Sequence, residues 1–540
     1  MSHYQFFTQS PKTPQTQPIP GREAEMIPGR SGGWMFKADS WQTLRRCLLI
    51  GTAQGSYYAG KQELTQDFAT VLRSAIAQDP DRVASEIIYA SDGRALNNSA
   101  PLLALVLLSM GSQPAAKAAF LRSFPQVVRT GSHFYEWLSY SKSLRGFGKV
   151  VRQAGRQWLS NPDGTALAYQ LLKYQQRHGF SHRDALRLFH VKPPSPDHDR
   201  LFAWVSQGWD GLPPEPPAPA LRQIWWYEWL KRHPDRPCHA IQQGKLTHEM
   251  AAPVGQMTVK AWTLLLESMP IGALLRNLGS LTQLGVLSPQ SHKAKKANQA
   301  LKRVAQVLTS SDHLRRGRIH PIDVLKALKT YRSGGSLGQS RKTWEPLPAV
   351  VEILETALDR SFTALPATGK AILHAVDVSG SMGYYTVGSL GLTCCEVATT
   401  LALASAKAEK KAIIRGFATE FRDLGITAAD SFASAIAKAS DQNFGGTDAA
   451  VAYGWALRQK VWVDLFCFWT DCETWAGRQH PSQALGEYRR KVNPKAKAVY
   501  VTLVPSGISL VDPQDSQSWD VAGFDPTTPR LLQLIALGEV

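Results

Sequence analysis

Two unlike folded parts are predicted: an all-α array of stacked short helices over residues 30–365, and a Rossmann-like α/β domain over residues 366–540. Three observations lead there. A chain of 540 residues exceeds what one hydrophobic core fills, so two or more globular units are expected. From Trp34 to about Leu365 apolar residues recur at spacings of three and four, as on one face of a helix. Beyond Pro366 apolar runs of strand length alternate with helical stretches.

Taken in order, residues 1–29 are rich in Pro, Gln and Thr and hold too little apolar content to pack, so they read as a disordered arm. Segments 41–50, 64–76, 100–108 and 262–268 carry the helical spacing, punctuated by Gly, Pro or Ser-Asp. More than 300 residues of short amphipathic helices without strand alternation fit helix pairs stacked as a solenoid, although no strict repeat is visible. The run GLPPEPPAP at 211–219 breaks the array, and Trp225, Trp226, Tyr227 and Trp229 follow it. At helical spacing such a cluster reads as core before it reads as a platform for nucleic-acid bases.

In the second part an apolar run at 371–378 is followed by a small-residue helix at 396–408 and a strand at 412–417. Helices near Ser431 and Ala449, a strand at 464–470, a helix near Ser482 and a strand at 497–504 complete the pattern. The alternation implies a parallel sheet covered on both faces. In such sheets ligands bind beyond the carboxyl ends of the strands.

Composition narrows the function. The longest apolar runs, such as 102–110, stop well short of the roughly 18 residues a membrane span needs, and the amino terminus lacks a secretory pattern. The cytoplasm is the expected location. Six cysteines without CxxC spacing read as reduced thiols, and His233, Cys238 and His239, with prolines between them, read as a loop of chance composition. The chain holds 61 Lys and Arg against 43 Asp and Glu, a net charge of +18. From residue 366 onward the counts are 16 and 17, so the first 365 residues carry +19. One-sided basicity of this size suggests a polyanionic partner, because neutralising phosphates releases condensed counterions; an evenly spread solubility charge is the plain alternative.

At the end of the first predicted strand, Asp377-Val378-Ser379-Gly380-Ser381 offers a carboxylate and two hydroxyls on alternate residues of a tight turn. Gly445-Gly446-Thr447-Asp448 adds a hydroxyl-bearing loop, and Thr470-Asp471 closes another strand with a carboxylate. Hard oxygens without Cys or His suit Mg²⁺, which keeps several waters and takes few direct carboxylates. Together these residues resemble the metal-ion-dependent adhesion site of von Willebrand factor A domains. By that resemblance Ser379, Ser381 and Thr447 contact the ion, Asp377 and Asp471 hold it directly or through water, and a partner's acidic group fills an open position. A two-metal nuclease needs more carboxylates than Asp377, Asp471 and the one extra, Asp448. Residues 367–370, Ala-Thr-Gly-Lys, lack the glycine spacing of a phosphate loop. A non-enzymatic protein is expected.

Lys142, Arg145, Lys149, Arg152 and Arg156 recur at spacings of three and four, which on one helix sets all five on one face. Gly146, Gly148 and Gly155 weaken that helix, and a solvated charged face is the alternative. A second group comprises Lys173 and Arg177, then Arg183, Arg187 and His190, with residues 177–182 reading as a helix end, a turn and a new cap. Two such faces suit a phosphate backbone, since the planar guanidinium donates bidentately to phosphate oxygens.

The two parts together resemble the Ro autoantigen family, whose helical part is the TROVE module. The stretches that carry the resemblance are SWQTLRRCLLIGTAQGSYY (40–58), KYQQRHGFSHRDALRLFHVKP (173–193), MPIGALLRNLG (269–279), GRIHPIDVLKALKTY (317–331), the turn at 377–382 and TDCETWAG (470–477). Residues 1–30 and 205–245 depart from it. The resemblance implies a monomeric ring of HEAT-like repeats closed by the A module around a basic hole. It implies small structured Y-like RNAs on the outer surface and single-stranded 3′ ends of misfolded RNAs in the hole. Lys173, Arg177 and His190 match positions tied to Y RNA binding, with Arg183 and Arg187 in the same stretch and the 142–156 group approaching the hole. A link through the RNA to polynucleotide phosphorylase is the further implied partnership.

Overall fold

A computed structural model describes residues 12–52, 61–216, 218–287, 294–317, 319–335, 343–362, 367–384, 391–440, 445–523, 525 and 527–539. They fall into two compact units. One gathers the residues up to Val71, Arg94–Leu96 and those from Phe362 onward; the other holds Leu72–Gly93 and Asn97–Ser361.

The second unit is built of helices packed in pairs, as expected. Pro80–Ser91 lies against Pro114–Val127, Ser99–Ser109 against Gly131–Leu144, Lys149–Ser160 against His182–Phe189, and Pro321–Arg332 against Pro348–Ser361. The sequence SAPLLALVLLS is apolar on all sides, so the Ser99–Ser109 helix is buried between neighbours. Several helices start where a side chain can satisfy an orphan amide: Asp79, Thr130, Asp163, Ser181, Ser195, Thr258 and Ser310 each cap one. Aromatic rings fill the centre of the segment that carries the basic residues. Phe134 stacks on Trp158 at 4.2 Å, and Phe124 meets Trp137 edge-on at 4.7 Å. The Trp-rich helix Arg222–Arg232 buries Trp225 and Tyr227, while Trp226 and Trp229 are only half-buried, so the core reading holds for two of the four aromatics.

In the first unit a six-stranded sheet runs in the order Ser518–Ala522, Lys497–Thr502, Leu465–Thr470, Ala371–Asp377, Lys411–Phe417, Phe421–Asp423. Five strands are parallel and the last is antiparallel, so the sheet is mixed rather than wholly parallel. From the central Ala371–Asp377 strand the chain goes first to Lys411–Phe417 on one side and later to Leu465–Thr470 on the other. That reversal opens the crevice where ligands bind in such sheets, at the carboxyl ends holding Asp377 and Thr470.

The amino-terminal arm is corrected by the structure. Among the described residues 12–29, Thr13 and Gln15 are buried, and Met26–Pro28 pairs with Trp34–Lys37 and through it with Ile508–Ser509 in a small antiparallel sheet. The arm has little apolar content of its own, yet hydrogen bonds to a preformed domain hold it, a source of order that composition does not register.

The helix Ser40–Ile50 belongs to this unit as well. Its Arg46 is fully buried, donates to the carbonyls of Ser506 (2.8 Å) and Ile508 (2.6 Å), and pairs with Asp520. Removing one member of a buried pair strands the other charge. Asp520→Ala is therefore expected to lower unfolding stability by about 3–5 kcal/mol, measured by denaturant titration, whereas an exposed pair such as Arg122–Asp81 contributes about 1 kcal/mol or less.

Candidate functional site

The central strand delivers Asp377 to the crevice, and the turn after it folds back on the carboxylate. The Ser379 amide donates to Asp377 Oδ1 at 3.0 Å, and the Thr470 hydroxyl from the neighbouring strand donates to Oδ2 at 2.6 Å. The hydroxyls of Ser379 and Ser381 sit 3.2 Å apart. Asp471 accepts the Glu473 amide at 3.0 Å. The third loop is stitched to this one: Thr447 O accepts the amides of Trp475 (2.9 Å) and Ala476 (3.0 Å), and the Thr474 hydroxyl accepts the Ala449 amide. All five expected side chains, Asp377, Ser379, Ser381, Thr447 and Asp471, are buried. The extra carboxylate Asp448 is otherwise engaged, with Oδ1 accepting from Gln15 Nε2 and the Ala450 amide.

Burial raises both Asp377 and Asp471 above the ordinary carboxylate range, and the charge of Asp377 raises Asp471 further. Two buried carboxylates side by side ask for a proton or a cation between them. No group of three or more His, Cys, Asp or Glu side chains is placed to hold a metal among the described residues. The donor set is thus two carboxylates with hydroxyls, which fits a hard, well-hydrated ion and not a Zn²⁺ cage.

The basic residues divide into exposed and internal ones. The expected single helix through Lys142–Arg156 is broken: Gly131–Leu144 ends, Gly146 adopts φ +73°, and a new helix starts at Lys149. Glycine makes the left-handed turn that ends the first helix, so the five cations do not share one face. Arg145 turns inward and donates to the carbonyl and hydroxyl of Ser109, both at 2.7 Å. Arg156 anchors its Nε on Phe189 O at 2.7 Å while its side chain stays exposed. Lys149 and Arg152 are exposed.

In the second group the turn is a two-residue β-hairpin, Gln176–Arg177 with Phe180–Ser181, whose His178 and Gly179 both take positive φ. Ser181 then caps His182–Phe189 in a capping box with Asp184, and His190 ends that helix in the left-handed region. Arg177, Arg183, Arg187 and His190 are exposed. Lys173 is half-buried, bonded to the Tyr169 hydroxyl at 3.0 Å and 3.6 Å from Glu249, so its charge is already partnered. The packing brings the two groups together. The Lys142 ammonium lies 5.7 Å from the Phe180 ring centre, and Arg156 reaches the residue before His190. Between Lys142 and Lys192 the chain holds ten Lys and Arg but only Asp163 and Asp184 as acids, so the stretch itself is strongly basic.

The sequence matches the family model described as TROVE domain over residues 28–206 and 242–368, and the one described as Ro60 vWA domain over 371–536. The chain belongs to the Ro60 family. Among Ro60 relatives, the RNA-binding protein RO60 of Deinococcus radiodurans is 33% identical over 98% of both chains. That of Caenorhabditis elegans is 27% identical over 95% of this chain and 90% of its own. The crystal structure of the D. radiodurans RO (RSR) protein superposes with a TM-score of 0.69, at 32% identity, over 93% of this chain and 100% of the other.

Against the Ro60 framework, residues 207–241 and those before 28 fall outside both matched regions. The first stretch is the Pro/Trp-rich departure seen in the sequence. The second contains Gln15, whose side chain touches both loops of the metal-type site and which sequence reading missed. Glu473, buried beside Asp471, was missed too; a glutamate two residues beyond the motif carries no signal until the loop that covers it is known.

Proposed function

We propose that this chain is an RNA-binding scaffold. It would hold a small structured RNA of the Y-like kind on the cationic surface formed by Lys142, Lys149, Arg152, Arg156, Arg177, Arg183 and Arg187, with the exposed imidazole of His190 beside them, and accept single-stranded 3′ ends of misfolded RNAs in a central opening. The observation that carries this reading is the grouping of those exposed basic side chains on mutually packed elements, in a stretch of chain that holds only two acids, Asp163 and Asp184. It accords with two relatives named RNA-binding protein RO60. Backbone contacts of this kind give affinity without sequence choice, so selection rests on RNA shape and on whether a free end is available.

In the same reading Asp377, Ser379, Ser381, Thr447 and Asp471 would hold Mg²⁺, which when bound supplies an open coordination position for an acidic group of a partner. The chain itself would be no enzyme. Degradation would belong to an RNA-linked nuclease such as polynucleotide phosphorylase, in the cytoplasm.

A salt series tests the RNA reading. Binding of the full-length protein to a structured RNA hairpin, followed by filter retention, is expected to weaken about 10³-fold or more between 50 and 200 mM monovalent salt, as about six phosphate contacts require. A flat response would reject it. The completeness of the oxygen constellation favours a second reading, a metal-dependent protein-interaction module. There, chelation abolishes partner capture while RNA binding persists.

A further inference from the structure

The metal-type site is held together by an amino-terminal segment whose first part, before residue 28, neither matched region covers. Gln15 is fully buried and every hydrogen-bonding group it owns is used. Its Nε2 donates to Asp448 Oδ1 at 2.7 Å and to Gln479 O at 2.9 Å. Its Oε1 accepts the Thr474 hydroxyl at 2.6 Å and the Gly477 amide at 3.2 Å. Its backbone amide donates to Gly477 O, and its carbonyl accepts the Trp34 amide. One side chain thus ties the residue after Thr447 to the loop that begins with Asp471. The fit leaves no spare room, since a Cβ at Gly477 would collide with both Gln15 and Asp448.

A second grip lies fifteen residues on, at Arg30 and Ser31. The Glu473 carboxylate accepts the Arg30 amide at 3.2 Å, the Ser31 amide at 3.0 Å and the Ser31 hydroxyl at 2.7 Å. A Cβ at Gly33 would meet the Thr474 carbonyl, so the 29–33 turn is pressed against the loop's backbone.

We propose that residues 12–37 are a strap that assembles the metal site, with Gln15 the positioning residue that sets the Thr447 and Asp471 loops at one spacing. The inference rests on the metal reading above. Because coupling between two sites is reciprocal, the strap strengthens metal binding and metal strengthens docking of the strap.

The test uses the full-length protein and Mg²⁺ alone. Calorimetric titration at 20 °C, where circular dichroism establishes that each protein is folded, is expected to show Mg²⁺ bound about tenfold or more weakly by Gln15→Ala. Gln15→Glu, which keeps the length but sets a carboxylate against Asp448, is expected to be at least as weak, and hairpin RNA affinity should stay within twofold. In the wild type, Mg²⁺ should slow cleavage at Glu23 by a Glu-specific protease. A purely structural role for Gln15 lowers the melting temperature in chelator but leaves the affinity of the folded protein unchanged; that outcome, or protease rates indifferent to Mg²⁺, overturns the strap. Failure of the wild type itself to bind Mg²⁺ overturns the metal reading on which the strap depends.

Discussion

Replacing Arg177, Arg183 and Arg187 together by Ala is expected to weaken hairpin RNA binding about a thousandfold or more and to reduce the slope of log K against log salt by about three units. Each exposed guanidinium forms charge-assisted bonds to phosphate worth about 1.5–3 kcal/mol, and each phosphate contact on a duplex adds about 0.9 to the slope. The fold should survive, because all three side chains are exposed and the helix His182–Phe189 keeps its capping box and its buried Phe189. Arg145→Ala supplies the contrast. Its guanidinium is committed to Ser109, so the melting temperature should fall while the salt slope stays at the wild-type value. Filter-binding isotherms at four salt concentrations distinguish the two. A triple variant with wild-type slope would show that the RNA lies elsewhere.

That contrast also marks how far side-chain spacing can be read. Helical spacing put Arg145 on the same face as Lys149 and Arg152, and glycine spacing argued against it; the glycines prevailed, because Gly146 offers a left-handed turn at no steric cost. Lys173 shows a different limit. A lysine in a basic stretch looks free until the fold brings Glu249, 76 positions along the chain, to its ammonium. The positions of Asp377 and Asp471 were legible for the opposite reason: each stands where an apolar strand meets a turn, and parallel strands converge there, whereas Thr447 lies in the loop between the helices Phe432–Ser440 and Val451–Arg458 and is marked only by its glycines. Gln15 was not legible at all. Its role depends on six hydrogen bonds to partners as far away as Gln479, and a Pro/Gln/Thr-rich segment carries no local trace of them.

The carboxylate pair supports the second large effect. Asp471→Asn is expected to abolish the stabilisation by Mg²⁺, which for the wild type at a hundred times its dissociation constant amounts to about 2.7 kcal/mol and appears as a rise of several degrees in the melting temperature. In chelator the same substitution is expected to stabilise the protein near neutral pH. The sign follows from the raised affinity of the folded pair for a proton, caused by burial and, at Asp471, by the charge of Asp377. An unfolded chain releases its carboxylate protons near pH 4, before the folded pair does, so wild-type stability declines as pH climbs through the window above that value until the folded pair has also ionised. Asparagine carries no ionisable proton and can still accept the Glu473 amide. The wild type should lose stability from pH 5 toward pH 8 in chelator and regain it on adding Mg²⁺, with metal affinity increasing over the same interval because binding displaces a proton. Thermal melts of both proteins at pH 5, 6.5 and 8, with and without Mg²⁺, make the comparison. Equal Mg²⁺ shifts in the two proteins would mean that Asp471 does not hold the ion, and a variant less stable than wild type in chelator at pH 8 would mean that the pair is not strained when metal-free.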